Sequence, residues 1–504
     1  MNAHGTVTAF PQTRGAAAPT RSGLAVSAWA HEVVGADTLV PVLDGSKRRY
    51  VNLDNAASTP PLVAVREAVD RMATWYSSVH RGTGFKSQVS TYAYEVAREA
   101  IGEFVGADPQ RQTVIFVRNT TEGLNKVARA LGRAGSIVFT TLMEHHANLL
   151  PWQAFASEVR FIRVDADGRI DLEDLESQLR SAPTDRPRLV AISGAYNVSG
   201  YTPPIHAAAR IAHRNGARIL VDGAQLVPHR PVNMRGTGDD DGLDFLVFSA
   251  HKLYAPYGGG ALIAPKDAFS DTPGELGGGI VEMVTLDRIL WSDLPDREEA
   301  GSPNVVGAVA LHAAINRLQQ LGMEAIAAHE AELTDYAMQQ LRTVPGLQIL
   351  GPGGADERLG VFSFRLMDMP HMLVASILGH EWGVGVRAGC FCAHPGMLHL
   401  LGVSDQEAQK FAAQIEAHDK RMVPGAVRAS LGLYSTPADV DALVEGLQAI
   451  ARGDYQRAYE VETHTGEYIP AGWMPDFGAF YSVNRPAGTA HANVAHRSHG
   501  TRSA

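Results

Sequence analysis

One lysine stands where structure alone gives little reason for it. Lys252 closes the sequence Ser249-Ala250-His251-Lys252, directly after the apolar run DFLVF (244–248). An amine just past a buried strand is poorly hydrated, which disfavours its charged form and leaves a nucleophile suited to Schiff-base formation. Taken alone, such a residue is more often a surface lysine. Asp222, in Val221-Asp222-Gly223-Ala224-Gln225, ends a different apolar run. A lone Asp at a strand end is commonly a helix cap. Paired with an amine it fits the needs of a pyridoxal cofactor, whose ring nitrogen must face an acid to stay protonated and keep the ring an electron sink.

Two further segments have suitable chemistry. Asn119-Thr120-Thr121-Glu122-Gly123 follows the run TVIFV and opens a helical pattern. Hydroxyls and free N–H groups at a helix start hold phosphate, although alone the segment reads as a plain cap. Glu144-His145-His146-Ala147-Asn148 follows SIVFTT (136–141). Its spacing is not the HExxH of zinc proteases, and an imidazole stacked on a flat ring is the alternative. The only cysteines, Cys390 and Cys392, are too close together to suggest a disulfide framework. With His394 and His399 they match no strong zinc spacing, so no metal is expected.

These residues need a scaffold that gathers them. Short apolar runs at Thr113–Val117, Ser136–Thr140, Val159–Val164, Arg188–Ser193, Arg218–Asp222, Asp244–Ser249 and Gly260–Ala264 read as strands, with helical patterns such as Glu122–Leu131 and Ile205–Asn215 between them. The alternation predicts an α/β domain with a mostly parallel seven-stranded sheet. Its ligand should lie beyond the C-terminal strand ends, where Thr140, Ser193, Asp222 and Ser249 fall. After about Val305 two long helices (Val305–Leu321, Glu324–Val344), strands at Leu347–Leu350, Leu359–Arg365 and Val384–Arg387, and helices Pro370–His380 and Pro437–Arg452 predict a smaller α+β domain. The expected organisation is a disordered tail (1–28), a cofactor-binding large domain (29–310) whose N-terminal segment lies near the small one, the small C-terminal domain (311–455), an aromatic-rich extension (456–483) and a second disordered tail (484–504).

The chain has 504 residues, is 45% hydrophobic and 19% charged, and carries a formal charge of -10. That balance argues against broad nucleic-acid or anionic-membrane binding. There is no secretory h-region and no apolar run near the ~18 residues of a membrane helix. Free thiols suit a reducing compartment, and a cytoplasmic protein is expected.

Together, VNLDNAAST (51–59), SVHRGTG (78–84), RNTTEGLN (118–125), MEHHANLLPW (143–152), YNVSG (196–200), LVDGAQLVPH (220–229), FSAHKLYAPYGGG (248–260), EAGSPN (299–304), VRAGCFCAHPG (386–396) and VRASLGLYST (427–436) resemble the class V aminotransferases. The resemblance runs from Asn52 to Val440, and within the class is strongest to group II cysteine desulfurases and selenocysteine lyases. It implies the fold type I architecture of pyridoxal-phosphate enzymes. It also implies that Lys252 holds pyridoxal 5'-phosphate and later moves protons, that Asp222 pairs with the ring nitrogen and Gln225 with the phenolic oxygen, and that His145 stacks on the ring. Thr121, Ser249 and His251 would hold the phosphate, and Ser302, where the family usually has Thr, would reach the phosphate in the partner subunit of a homodimer. Asn197 and Arg428 would bind the substrate carboxylate, with His80 and Arg387 lining the substrate side.

By the same resemblance Cys392 would take sulfur from L-cysteine as a persulfide, leave L-alanine, and pass the sulfur to an acceptor. The other reading is a class V enzyme of different activity (a C–S or selenocysteine lyase, an epimerase or an aminotransferase) in which Cys392 is not the nucleophile. The chain departs from the simple desulfurases in three places. RAGCFCAHPG is as similar to molybdenum-cofactor sulfurases, the stretch Gly402 to Pro424 is long, and Tyr455 to Val483 lies outside the family core, placed to cover a dimer face or the active-site mouth.

Overall fold

The computed structural model describes residues 29–132, 135–238, 240–269, 272–456 and 458–483. The two tails read as disordered lie outside the described residues. Seven segments form the main sheet: β1 (Gln112–Val117), β2 (Ile137–Thr141), β3 (Glu158–Ile162), β4 (Arg188–Ser193), β5 (Arg218–Asp222), β6 (Phe245–Ser249) and β7 (Gly260–Pro265). Their order is β1-β7-β6-β5-β4-β2-β3. The pairs from β6 to β3 are parallel, and β7 runs antiparallel to both β1 and β6. β2 and β6 are buried at every residue, as strands covered on both faces must be, and this is why they read as unbroken apolar runs.

The helices that cover the sheet are set by close packing. Thr120–Gly132 lies so near it that a Cβ on Gly123 would fall 2.5 Å from Val247 Cγ2. Glycine there lets the start of the helix sit directly over the end of β6. The Val305–Leu321 helix contributes Ala310, Leu311, Ala314, Ile315 and Leu318 to the core of this layer. The boundary expected at 310 therefore falls inside that helix.

A second core gathers Leu333, Tyr336, Phe362, Phe364, Val374, Ile377, Val427 and Leu447 around a four-stranded sheet. Val51 and Leu53, far away in sequence, belong to it. Val51–Asn52 pairs in parallel with Val384–Gly385, so the chain near its start crosses onto this second core. The single strand expected at Val384–Arg387 is two short ones, Val384–Gly385 and Arg387–Gly389, in different sheets.

The stretch after Gly402 contains the helix Asp405–Glu416, capped reciprocally by Ser404 and Glu407, with none of its residues buried. The segment after Tyr455 forms a hairpin, Tyr459–Val461 with Tyr468–Pro470. It packs on the His371–Trp382 helix: Tyr459 Oη donates to Glu381 (2.7 Å), and Ser376 Oγ to the Tyr468 carbonyl. None of its residues lines the cavity described next.

Candidate active site

A cavity of about 300 Å³ opens at the C-terminal strand ends of the main sheet. Ser193 ends β4 and Asp222 ends β5, directly opposite one another in register. β6 ends at Ser249 and turns through the short 3-10 segment Ala250–Lys252. The wall holds Lys252, Asp222, Gln225, His145, Thr121, Ser249, His251, Asn197, Arg428, Arg387 and Cys392. Eleven of the thirteen residues expected from sequence thus meet in one place.

The amine of Lys252 is pushed down to about 8, chiefly by burial; Asp222 opposes this, Arg428 adds to it, and Cys392 and Arg387 exert smaller effects of opposite sign. Burial raises the Asp222 carboxyl, while the Ala224 N–H (3.0 Å) and Lys252 favour its anion. His145 falls to about 4 through burial and, secondarily, the neighbouring Lys252, His146 and Arg428. Its Nδ1 accepts from the Ala147 N–H (3.0 Å), so the ring is a neutral imidazole of fixed orientation. His251 falls to about 4 for the same first reason. Its ring is therefore neutral at pH 7.

The helix Thr120–Gly132 points its N-terminus at this wall. Thr120, which the sequence reading passed over in favour of Thr121, is buried, and its N–H and Oγ1 both meet Ser249 Oγ, at 2.8 and 2.7 Å. Thr121 stays exposed at the cavity edge. Gln225 donates to the Ala56 carbonyl (2.7 Å).

Arg428 is buried, with Nη1 on the Asn197 carbonyl (3.0 Å), Nη2 on Asp54 (3.3 Å) and its plane 4.8 Å from the Phe391 ring centroid. Its Nε–H has no protein partner among the described residues. Burial lowers Arg428 to about 10, so it remains a cation at neutral pH. A desolvated guanidinium in the wall of a cavity is suited to a small carboxylate.

Sequence reasoning missed Asp54 as well. Its motif VNLDNAAST was recognised, but no role followed from it. The segment threads the site: Ala56 and Ala57 line the wall, Ala56 N–H donates to Ser430 Oγ, and Thr59 N–H donates to the His251 carbonyl beside Lys252. Buried Glu144, pushed up to about 7 by burial, accepts from Thr141, Asn148 and Ser193 and so fastens the segment that presents His145.

The two cysteines separate clearly. Cys390 is buried, its thiol donating to the Pro424 carbonyl and pushed up to about 11 by burial. Cys392 is exposed and lines the cavity. Phe391 and Cys392 both have positive φ (+53° and +54°), which turns the loop sharply, and the Cys392 carbonyl accepts from His146 N–H (2.7 Å). His80 is not in the wall of this cavity. It bonds Glu95 (3.0 Å) and stands edge-on to Tyr94, because the chain turns it toward the Phe85–Phe104 helix. Ser302 is also outside it, exposed on the loop before the Val305–Leu321 helix.

The strand order, with an amine and a carboxylate at adjacent strand ends, defines a type I fold of the pyridoxal-phosphate transferases. The sequence profile of the class V aminotransferases matches residues 51–443, and the chain belongs to that family. A cysteine desulfurase of Haloferax volcanii is 38% identical over 428 residues, 82% of this chain and 93% of that one. One from Klebsiella pneumoniae is 37% identical, covering 84% and 98%. Among solved structures, the apo cysteine desulfurase of Thermococcus onnurineus superposes with a TM-score of 0.70 at 31% identity, over 80% of this chain and 95% of that one.

Proposed function

We propose that the chain is a pyridoxal-phosphate-dependent cysteine desulfurase, which converts L-cysteine to L-alanine and holds the released sulfur on Cys392. The observation that carries this reading is the exposed Cys392 thiol in the same cavity as Lys252 and Arg428.

The residues present suit the cofactor. Lys252 would hold it, Asp222 would face its ring nitrogen, His145 its ring and Gln225 its phenolic oxygen, with the Thr120–Gly132 helix start, Thr121, Ser249 and His251 around its phosphate. When bound, the cofactor supplies an electron sink that weakens bonds at the substrate's α- and β-carbons. The remaining steps belong to the protein. Arg428, in the cavity wall, holds the substrate carboxylate, and the Asn197 carbonyl braces its guanidinium. Lys252, with its lowered basicity, takes and returns a proton at the substrate carbons. Cys392 as thiolate attacks the substrate's sulfur: an S–S bond forms, the C–S bond breaks, and its electron pair stays with the β-carbon, which is then protonated. L-cysteine and a thiol thus become L-alanine and a persulfide, with atoms and electrons balanced.

An exposed persulfide is open to a sulfur acceptor, and the exposed Ser302 loop supports a homodimer in which it reaches the partner's site. Among the described residues no helix is long and apolar enough to cross a membrane. The test is incubation of the loaded protein with L-cysteine. Alanine release with one added sulfur on Cys392, and not on Cys390, is the expected result. Wild-type rates of alanine and sulfide release in Cys392→Ala would overturn the persulfide route and favour a lyase.

A further inference from the structure

Two arginines meet at one carboxylate beside the cavity. Arg387 and Arg428 lie directly opposite each other on antiparallel neighbouring strands. Like charges in that position repel. Asp54 lies between them: Arg387 donates from Nε to both its oxygens (3.1 Å each) and from Nη2 (2.9 Å), while Arg428 Nη2 donates at 3.3 Å. The backbone around Asp54 is fixed independently of these contacts. Leu53 N–H donates to the Gly385 carbonyl, Ser430 N–H donates to the Leu53 carbonyl, and Asp54 N–H bonds Asn52 Oδ1.

We propose that Asp54 is a specificity-determining residue that sets the charge of the substrate cage, so that it accepts an amino acid with one carboxylate and rejects one with a second. The inference rests on the reading of Arg428 as the carboxylate anchor. Two guanidiniums sharing one carboxylate leave a single net positive charge, which one α-carboxylate neutralises. Arg428 lines the cavity but is nearly enclosed, with 3% of its side chain exposed. Arg387 is more open, at 49%, but its Nε and Nη2 are both engaged by Asp54. Take away the Asp54 charge and a second cation, with its donor fork released, faces the same cavity. A side-chain carboxylate then gains a partner that it lacks in the wild type.

The experiment compares loaded wild-type protein with Asp54→Asn, Arg387→Gln and the double variant. Each is titrated with L-alanine, which has one carboxylate, and L-aspartate, which has two, and affinity is read from the change in cofactor absorbance. In Asp54→Asn the preference for alanine over aspartate should fall roughly tenfold or more, the scale of one charge contact in a partly desolvated site. In the double variant it should return. In Arg387→Gln alone it should move the other way, so the proposal remains exposed even if Asp54→Asn does not fold. Equal weakening of both ligands in Asp54→Asn would mark Asp54 as structural only, and a changed preference that persists in the double variant would exclude Arg387; either result overturns the proposal. Neither readout needs desulfuration of cysteine, so failure of the proposed reaction would be seen separately, as absent alanine and persulfide.

Discussion

Lys252 gains its reactivity from its surroundings. Burial holds its amine down to about 8, and Asp222 limits the drop. Only the neutral amine attacks a carbonyl. The rate at which the cofactor-free protein takes up pyridoxal phosphate should therefore rise about tenfold per pH unit below that value and level off above it. In Asp222→Asn the levelling should begin at lower pH, because a charge that favours the protonated amine is gone. Rapid-mixing absorbance across a pH series measures both; an inflection near the ordinary lysine value would contradict the burial argument. The cysteines allow a second test. Iodoacetamide should label Cys392 and spare Cys390 in the native protein, as mass spectrometry of the peptide would show, since Cys390 is buried and hydrogen-bonded. Cys392 and most of the other wall residues came from the family resemblance, while Lys252 and Asp222 were legible in sequence because the chemistry demands an amine facing an acid. Asp54 was not, because its role depends on two arginines more than 300 positions away, brought opposite each other by strand pairing.

Elements carry a different kind of information. The strands of the main sheet were legible to within a residue or two because burial on both faces leaves a continuous apolar run. The two strands at Val384–Gly389 were not separable, since a chain that switches sheets midway changes its partners and not its composition. The helix Asp405–Glu416 escaped notice because its apolar stripe is narrow and only half-buried: Ala408, Phe411 and Ile415 lie on one face, and none of its residues is fully buried. That leads to an expectation. Ser404→Ala removes half of a reciprocal cap and should cost the helix about 1 kcal/mol. Because the helix contributes nothing to a core, amide exchange within it should quicken while the global melting temperature stays unchanged. A matching fall in melting temperature would show that the helix is coupled to the rest. By contrast, a Cβ on Gly396 would come within 3.0 Å of Met143 Cα, where the Cys392 loop closes on the His145 segment. Gly396→Ala should slow alanine formation and leave the cofactor spectrum intact, because it displaces the thiol and not the ring site. Steady-state kinetics beside an absorbance scan would separate the two.

At the scale of the whole molecule, the two cores must hold a fixed relation, because the cage draws Asn197 from one and Arg428 from the other. The grip lies around Arg358. Its guanidinium is buried and donates to the carbonyls of Ser199, Pro352 and Val361. Leu359 N–H donates to the Gly200 carbonyl (2.9 Å), and Ser363 Oγ to the Val198 carbonyl. The segment 358–363 therefore holds the turn YNVSG, and Asn197 lies in that turn. Among the described residues no carboxylate pairs with Arg358; backbone carbonyls, the Met338 sulfur (3.8 Å) and the Phe362 ring hold the cation, and burial lowers it to about 10. Replacing it with methionine keeps much of the bulk but strands buried acceptors, which costs about 1–3 kcal/mol for each group left unpaired. Arg358→Met should accordingly lower the melting temperature by several degrees. It should also raise KM for L-cysteine more than it lowers kcat, because the carboxylate cage loosens while Lys252, Asp222 and His145 stay on the strand ends of the large domain. Calorimetry and steady-state kinetics on one preparation test both. A stable variant with unchanged KM would mean that the turn is held by its own backbone bonds, and that the placement of the two domains does not depend on this arginine.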